Sequence, residues 1–271
     1  MIKIAHEAPL CLMPRVREVT DYCYALVHLF EECPKYYDFF VESKKLGRTV
    51  LLDNSIFELG TAFNSDKFAD WITKLQPDEY IVPDVLEDTG NTIKNFDNWL
   101  RTYKDLPGKK IGVVQGKTFK ELYDCYSYMS DKADKIAVSF DYSYYNLTAL
   151  GNNKYQQYCN GRYKLLRDLI GENIVNYKKP HHLLGCSIPA EFGFYSSFPN
   201  VFKFIESLDT SNPIINGMHN IKYGPYGVKD KLDVKLVDFF YIKKIKDEGI
   251  SLIEHNINQF KLIVREPNNI K

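Results

Sequence analysis

Phe204-Ile205-Glu206-Ser207-Leu208-Asp209-Thr210-Ser211-Asn212-Pro213 is an apolar-rich run that climbs to a carboxylate and breaks at once into turn formers. Thr, Ser and Asn offer side-chain hydrogen bonds that compete with extended backbone, and Pro removes a backbone donor. Asp209 therefore belongs where a strand ends. The same grammar closes Leu51-Leu52-Asp53, Ile81-Val82-Pro83-Asp84, Val113-Val114-Gln115 and Leu183-Leu184-Gly185. An ending repeated along the chain points to a common rim.

Working outward, strands are expected at 2–5, 24–30, 49–53, 79–83, 110–115, 135–140, 181–186 and 201–209. Between them the spacing predicts helices over 35–45, 65–75, 91–103, 118–129, 155–170 and 189–197. Phe68, Trp71, Ile72 and Leu75 fall on one helical face, with Ser65-Asp66 as cap. Thr118 and Glu121 have the spacing of a capping box. The strands lack period-two alternation, as parallel strands covered by helices do. Eight strand–helix repeats favour an α/β fold, a closed (β/α)8 TIM barrel, over an open doubly wound sheet. The expectation is one domain over 1–271, with 211–271 as post-barrel loop and helical tail. Within that tail, 211–230 reads as polar loop, 231–246 as helix, and 250–262 as a further helix or an irregular packing segment.

Composition narrows the function classes. The 271 residues are 45% hydrophobic and 26% charged, ordinary for a soluble globular chain. Lys+Arg and Asp+Glu both total 35, so bulk charge gives no support for a nucleic-acid partner, although a local basic face could. Six cysteines stand apart without a CxC or CxxC pair, which reads as reduced thiols in a cytoplasm and gives no metal site. No stretch approaches the roughly 20 apolar residues of a bilayer span, and Lys3, His6 and Glu7 interrupt any signal-peptide-like start.

In a barrel the chemistry sits on loops after the C-terminal strand ends. Asp53, Asp84, Gln115, Ser139, Gly185 and Asp209 meet that condition. Taken singly, each Asp reads as a helix cap or a solvated loop residue. Together, carboxylates and an amide around one mouth can hydrogen-bond a flat polar molecule and run acid/base or nucleophilic work at an sp3 carbon. Carboxylate nucleophiles suit a glycosidic carbon.

The ordered wording of these strand ends resembles the tRNA-guanine transglycosylase superfamily. Leu52-Asp53-Asn54-Ser55-Ile56-Phe57 is similar to that family's Asp-Ser-Gly-Gly-aromatic segment, and Val82-Pro83-Asp84 to its Asp-Glu-Cys segment. Val114-Gln115-Gly116 matches its Gln-Gly, Ile136-Ala137-Val138-Ser139 its Leu-Ala-Val-Gly, and His182-Leu183-Leu184-Gly185 its Leu-Met-Gly. Asp209 falls at the family's nucleophile. The resemblance implies a (β/α)8 barrel that exchanges guanine in a polynucleotide for a 7-deazaguanine base such as preQ0. It implies Asp209 as nucleophile and Asp53 as general acid/base. Asp84, Gln115, Gly116 and the backbone of Ala137, Val138, Ser139 and Gly185 would read the base edge, with Phe57 and Leu184 stacked on its faces.

The chain departs from the tRNA enzymes in having no CxCxxC zinc cluster, so no zinc subdomain. It carries Ser55-Ile56 for the family's Gly-Gly, and Phe140 then Asp141 where the family has a Glu. The compact, zinc-less wording resembles the phage DNA-guanine transglycosylases, which implies DNA as partner, with tRNA as the alternative, and no cofactor. A barrel that binds purine or polynucleotide without turnover is the reading from another class.

Other residues have plainer readings beside the functional one. His181-His182 places one ring on each strand face, most simply as core or rim histidines. His6-Glu7 reads as pocket lining or loop. Glu58 and Glu87 neighbour site candidates, with loop solvation as the ordinary alternative. Lys222, Lys229, Lys231, Lys235, Lys243, Lys244 and Lys246 form either a phosphate-binding surface or a solvated face. Tyr142-Ser143-Tyr144-Tyr145 either stacks on unpaired bases or packs on the barrel.

Overall fold

A computed structural model describes residues 1–186 and 188–267. The strands are β1 (Lys3–His6), β2 (Cys23–Leu26), β3 (Val50–Asp53), β4 (Glu79–Ile81), β5 (Lys109–Val113), β6 (Lys135–Val138), β7 (His181–Leu183) and β8 (Ile205–Thr210). The helices are α1 (Met13–Arg17), α2 (His28–Glu32), α3 (Pro34–Lys45), α4 (Ile56–Leu59), α5 (Ser65–Leu75), α6 (Thr89–Thr102), α7 (Phe119–Lys132), α8 (Ser143–Thr148), α9 (Lys154–Gly171), α10 (Ala190–Ser197), α11 (Asn212–Met218) and α12 (Asp247–Arg265). All eight strands run parallel in the order β1-β8-β7-β6-β5-β4-β3-β2, a (β/α)8 TIM barrel.

The ends of that order, β1 and β2, meet across a polar seam. The Asp21 N–H donates to Ile4 O at 2.9 Å, and the Ile4 N–H returns to Asp21 Oδ2 at 2.6 Å. The His6 N–H donates to Thr20 Oγ1 at 2.9 Å, and that hydroxyl lies 3.0 Å from Ile4 O. Side chains here replace ladder bonds. Buried backbone groups need such partners, and Thr20 and Asp21 supply them.

Helices cover the sheet through the stripes read from sequence, among them Phe68, Ile72 and Leu75 on α5 and Phe96 and Trp99 on α6. The capping box at Thr118 and Glu121 forms, whereas α5 is capped one residue earlier, by Asn64. At the N-terminal end of the barrel, buried Lys135 reaches Glu79 at 2.8 Å and Glu206 at 2.9 Å, tying β6 to β4 and β8. Among the described residues no helix is long and apolar enough to cross a membrane.

Four expectations are corrected. The strand expected over 24–30 ends at Leu26 and the chain turns into α2, because a short apolar run fits a buried helix as well as a strand. The segment 141–153, expected as a Tyr- and Asn-rich loop, contains α8, whose Tyr144 and Tyr145 are buried against the barrel. The polar loop after β8 opens with α11, where Pro213 occupies the first turn and needs no N–H partner. The expected helix over 231–246 is instead an irregular strap with a 3-10 turn at Leu236–Phe239. The segment expected over 250–262 is a helix, α12, and it packs on α11 so closely that a Cβ on Gly217 would lie 2.5 Å from Ile253.

Thr20→Val keeps the shape of the seam and strips its hydroxyl, leaving the buried His6 N–H without an acceptor. We expect a loss of about 1–3 kcal/mol in urea unfolding; a variant as stable as wild type would remove the seam from the barrel's closure.

Candidate active site

Asp209 stands on β8 with its carboxylate buried at the C-terminal mouth. Its Oδ1 accepts from the Gly185 N–H at 3.1 Å and lies 3.0 Å from His182 Nε2. Burial lowers the His182 pKa and favours the neutral ring, against the pull of the Asp209 carboxylate. With Nε2–H donating to Asp209, Nδ1 accepts from Ser207 Oγ at 2.9 Å, a tautomer assigned from the network. Tyr24 stacks on that ring, centroids 6.0 Å apart. Among the described residues no hydrogen bond engages Oδ2 of Asp209. Gly185 has φ +67°, and a Cβ there would sit 2.5 Å from the Phe140 ring, so only glycine brings this N–H to the carboxylate.

Asp53 ends β3. The Tyr24 hydroxyl donates to its Oδ2 and the Ser55 N–H to its Oδ1. Ser55 takes a left-handed conformation, φ 61°, unusual for a residue with a Cβ. These donors favour the ionised form, but burial and the neighbouring Glu58 charge outweigh them and push Asp53 up to about 8. Burial, with the Asp209 charge behind it, pushes Glu58 up to about 7. Glu7 is raised well above the carboxylate range by burial and then by Asp209, Glu58 and Asp53.

A second cluster faces the same space. Asp84 accepts from Asn54 Nδ2 at 2.8 Å and from Gln115 Nε2 at 2.6 Å. The Glu87 N–H donates to Gln115 Oε1 at 2.8 Å, which fixes the orientation of that amide. Burial raises the Asp84 pKa despite its donors. The cavity shared by these groups measures about 630 Å³. Phe57 and Phe140 lie on its wall with centroids 5.7 Å apart. The strap crosses the opening. Lys231 Nζ sits 4.5 Å from the Phe140 centroid and Lys235 Nζ 5.2 Å from that of Phe57. Burial lowers the Lys231 pKa.

Of the residues read from sequence, Asp53, Phe57, Asp84, Gln115, Ser139, Leu184, Gly185 and Asp209 line the cavity, as do His6, Glu7 and Glu58. Gly116, Ala137 and Val138 do not. A Cβ on Gly116 would lie 2.8 Å from Glu121, so that glycine serves the approach of α7. Ala137 O accepts from the Val114 N–H and Val138 O from the Leu184 N–H, which commits both carbonyls to strand neighbours. Glu87 contributes its backbone N–H to Gln115, while its carboxylate accepts from the Ser143 N–H. His182 is a core histidine as expected, and also a partner of Asp209. Sequence reasoning missed Tyr24, Lys231 as a cavity residue, and the strap itself. Leu232, Val234 and Leu236 alternate with polar residues, a period-two signal of extended chain. Among the described residues no group of three or more His, Cys, Asp or Glu side chains is arranged to hold a metal ion.

No protein-family model matches the chain, and no curated protein does. Among solved structures, a protein from Aquifex aeolicus VF5 is similar with a TM-score of 0.50 at 11% identity, over 98% of this chain and 92% of that one. The carboxyl transferase domain from Rhizobium etli pyruvate carboxylase gives a TM-score of 0.50 at 9% identity, over 97% of this chain and 48% of that chain. Tryptophan synthase from M. tuberculosis gives 0.49 at 8% identity, over 96% and 92%. At 9–11% identity the two likenesses at a TM-score of 0.50 define the barrel fold alone.

The raised carboxylates set a sign for stability against pH. Asp53 and Glu58 bind protons more tightly folded than at their ordinary values of 3.8 and 4.5. Their contribution is therefore intact below about pH 4 and is lost as pH rises to 7 and 8. The melting temperature is expected to fall from pH 5 to pH 9, and the fall should shrink by roughly 2 °C or more in Glu58→Gln. Equal falls in both proteins would show that Glu58 carries no buried charge.

Proposed function

We propose that the protein is a guanine transglycosylase that exchanges guanine in DNA for a 7-deazaguanine base of the preQ0 type. The observation that carries the reading is Asp209, held among the described residues through Oδ1, sharing one cavity with Asp53, an acid kept protonated to about pH 8. A free carboxylate oxygen and a nearby acid are what a double displacement at an anomeric carbon requires.

In the first half, Asp209 Oδ2 attacks C1′ of the nucleotide as the bond from C1′ to N9 breaks. The departing base keeps that electron pair and takes a proton from Asp53, leaving as neutral guanine. In the second half, N9 of the 7-deazaguanine attacks C1′ and gives its proton to the Asp53 carboxylate, and the bond to Asp209 breaks. Each side chain returns to its starting state. Phe57 and Leu184 offer apolar surface to a flat base, and Asp84, fixed between Asn54 and Gln115, offers acceptor oxygens to an amino and N–H edge. The nucleotide must leave its stack to reach Asp209. Lys231 and Lys235 on the strap give the rim the sign of charge that phosphates seek.

Asp209→Asn keeps the shape and removes the nucleophile. Base exchange, followed with labelled 7-deazaguanine on DNA and on tRNA in parallel, should fall by about a thousandfold or more, and the covalent adduct on denaturing gels should vanish. Full exchange by this variant would sink the assignment. Incorporation into tRNA alone would move the substrate to tRNA, and base binding without exchange on either would make the chain a binding barrel. Because the first half consumes the Asp53 proton, adduct formation should also decline above about pH 8; a rate still rising at pH 9 would remove Asp53 as the acid.

A further inference from the structure

The peptide unit joining Leu184 to Gly185 touches charged groups at both ends. Its N–H donates to Asp209 Oδ1 at 3.1 Å, and its carbonyl, Leu184 O, accepts from Arg162 Nη1 at 2.8 Å. Arg162 rises from α9 and is fully buried. Its Nε and Nη2 hold Glu191 at 2.7 and 2.9 Å, and Nη2 also reaches Gly185 O at 3.1 Å. The Tyr195 hydroxyl donates to Glu191 at 2.7 Å, so the carboxylate that orients the guanidinium is itself fixed.

We infer that Arg162 is a positioning residue for Asp209, acting through the Leu184–Gly185 peptide. A cation on the carbonyl draws electron density out of the amide and makes its N–H a stronger donor, an effect of about 10–30% per bond in a connected chain. The same contact prevents the peptide from flipping, which holds Oδ1 in place and presents Oδ2 to the cavity. A purely structural ion pair needs only Glu191; the bonds to Leu184 O and Gly185 O are additional and converge on the segment that touches Asp209. The inference rests on Asp209 as nucleophile for its catalytic consequence, whereas the polarised peptide has a readout of its own.

The test compares wild type, Glu191→Gln, and the double variant Arg162→Met/Glu191→Gln. The double variant removes the donors without stranding a buried charge, while Glu191→Gln keeps Arg162 on its carbonyls and shares the loss of the ion pair. In 15N-labelled wild type, the Gly185 amide proton should resonate downfield of the other glycine amides. It should move upfield in the double variant and hold its place in Glu191→Gln. In steady-state exchange the double variant should lose about tenfold in kcat at unchanged KM for the polynucleotide, with Glu191→Gln within about threefold of wild type. A folded double variant with wild-type kcat and an unmoved amide overturns the inference. Should the double variant not fold, the wild-type spectrum decides, and a Gly185 amide among the ordinary glycines overturns it. A wild type that exchanges no base but shows the downfield amide rejects the transglycosylase reading and leaves the polarised peptide standing.

Discussion

Glu7, Asp53 and Glu58 share one cavity with Asp209, and burial, with the neighbouring carboxylate charges behind it, raises the proton affinity of Glu7, Asp53 and Glu58. Like charges in a poorly solvated space repel, and a fold that gathers them must compensate with donors, with protonation or with cations. All three are present. Tyr24 and Ser55 donate to Asp53, and Gly185 and His182 to Asp209. Asp53 and Glu58 hold protons, and the Lys231 ammonium lies over the opening. The left-handed turns at Ser55 and Gly185 serve this compensation, since both present their N–H groups to the carboxylates.

The two ends of the barrel solve their charge problem differently. At the N-terminal end, Lys135 pairs with Glu79 and Glu206 in direct contacts below 3 Å, and Lys109 and Lys3 stand 3.9 and 3.2 Å from the same two carboxylates. At the C-terminal end burial, with the neighbouring carboxylates behind it, raises the proton affinity of Glu7, Asp53 and Glu58. Perturbed carboxylates in a cleft mark candidate chemistry, whereas paired ones mark structure. The contrast between the ends comes from side chains on the same strands, since β4, β6 and β8 supply Glu79, Lys135 and Glu206 and run on to the mouth.

Legibility in the sequence followed the range of the forces. Strand ends are local events, so Asp53, Asp84, Gln115 and Asp209 could be placed from a few neighbouring residues, and the eight-fold repeat of strand and helix carried the barrel. The partners of those residues come from distant chain. His182 reaches Asp209 only because β7 pairs with β8, and Tyr24 reaches Asp53 only because β2 pairs with β3. Arg162 lay on a readable stripe with Tyr158, Leu165, Leu166 and Leu169, and a charge at a core position of a helix was a signal of a buried partner. Gly116, Ala137 and Val138 do not line the cavity, because the Ala137 and Val138 carbonyls bond strand neighbours and Gly116 makes room for α7.

The strap settles on the barrel through two ammonium groups over aromatic faces, Lys231 on Phe140 and Lys235 on Phe57. Each such contact is worth about 0.5–2 kcal/mol. A flat ring stacking on the face of Phe57 that Lys235 covers would compete with the strap for it, so occupancy of that face and detachment of the strap would be linked equilibria. The linkage runs both ways: whatever draws the lysines outward, a polyanion above all, raises the affinity of the wall for a ring. Two ligands of opposite character, one flat and one negatively charged, would then bind cooperatively without touching each other.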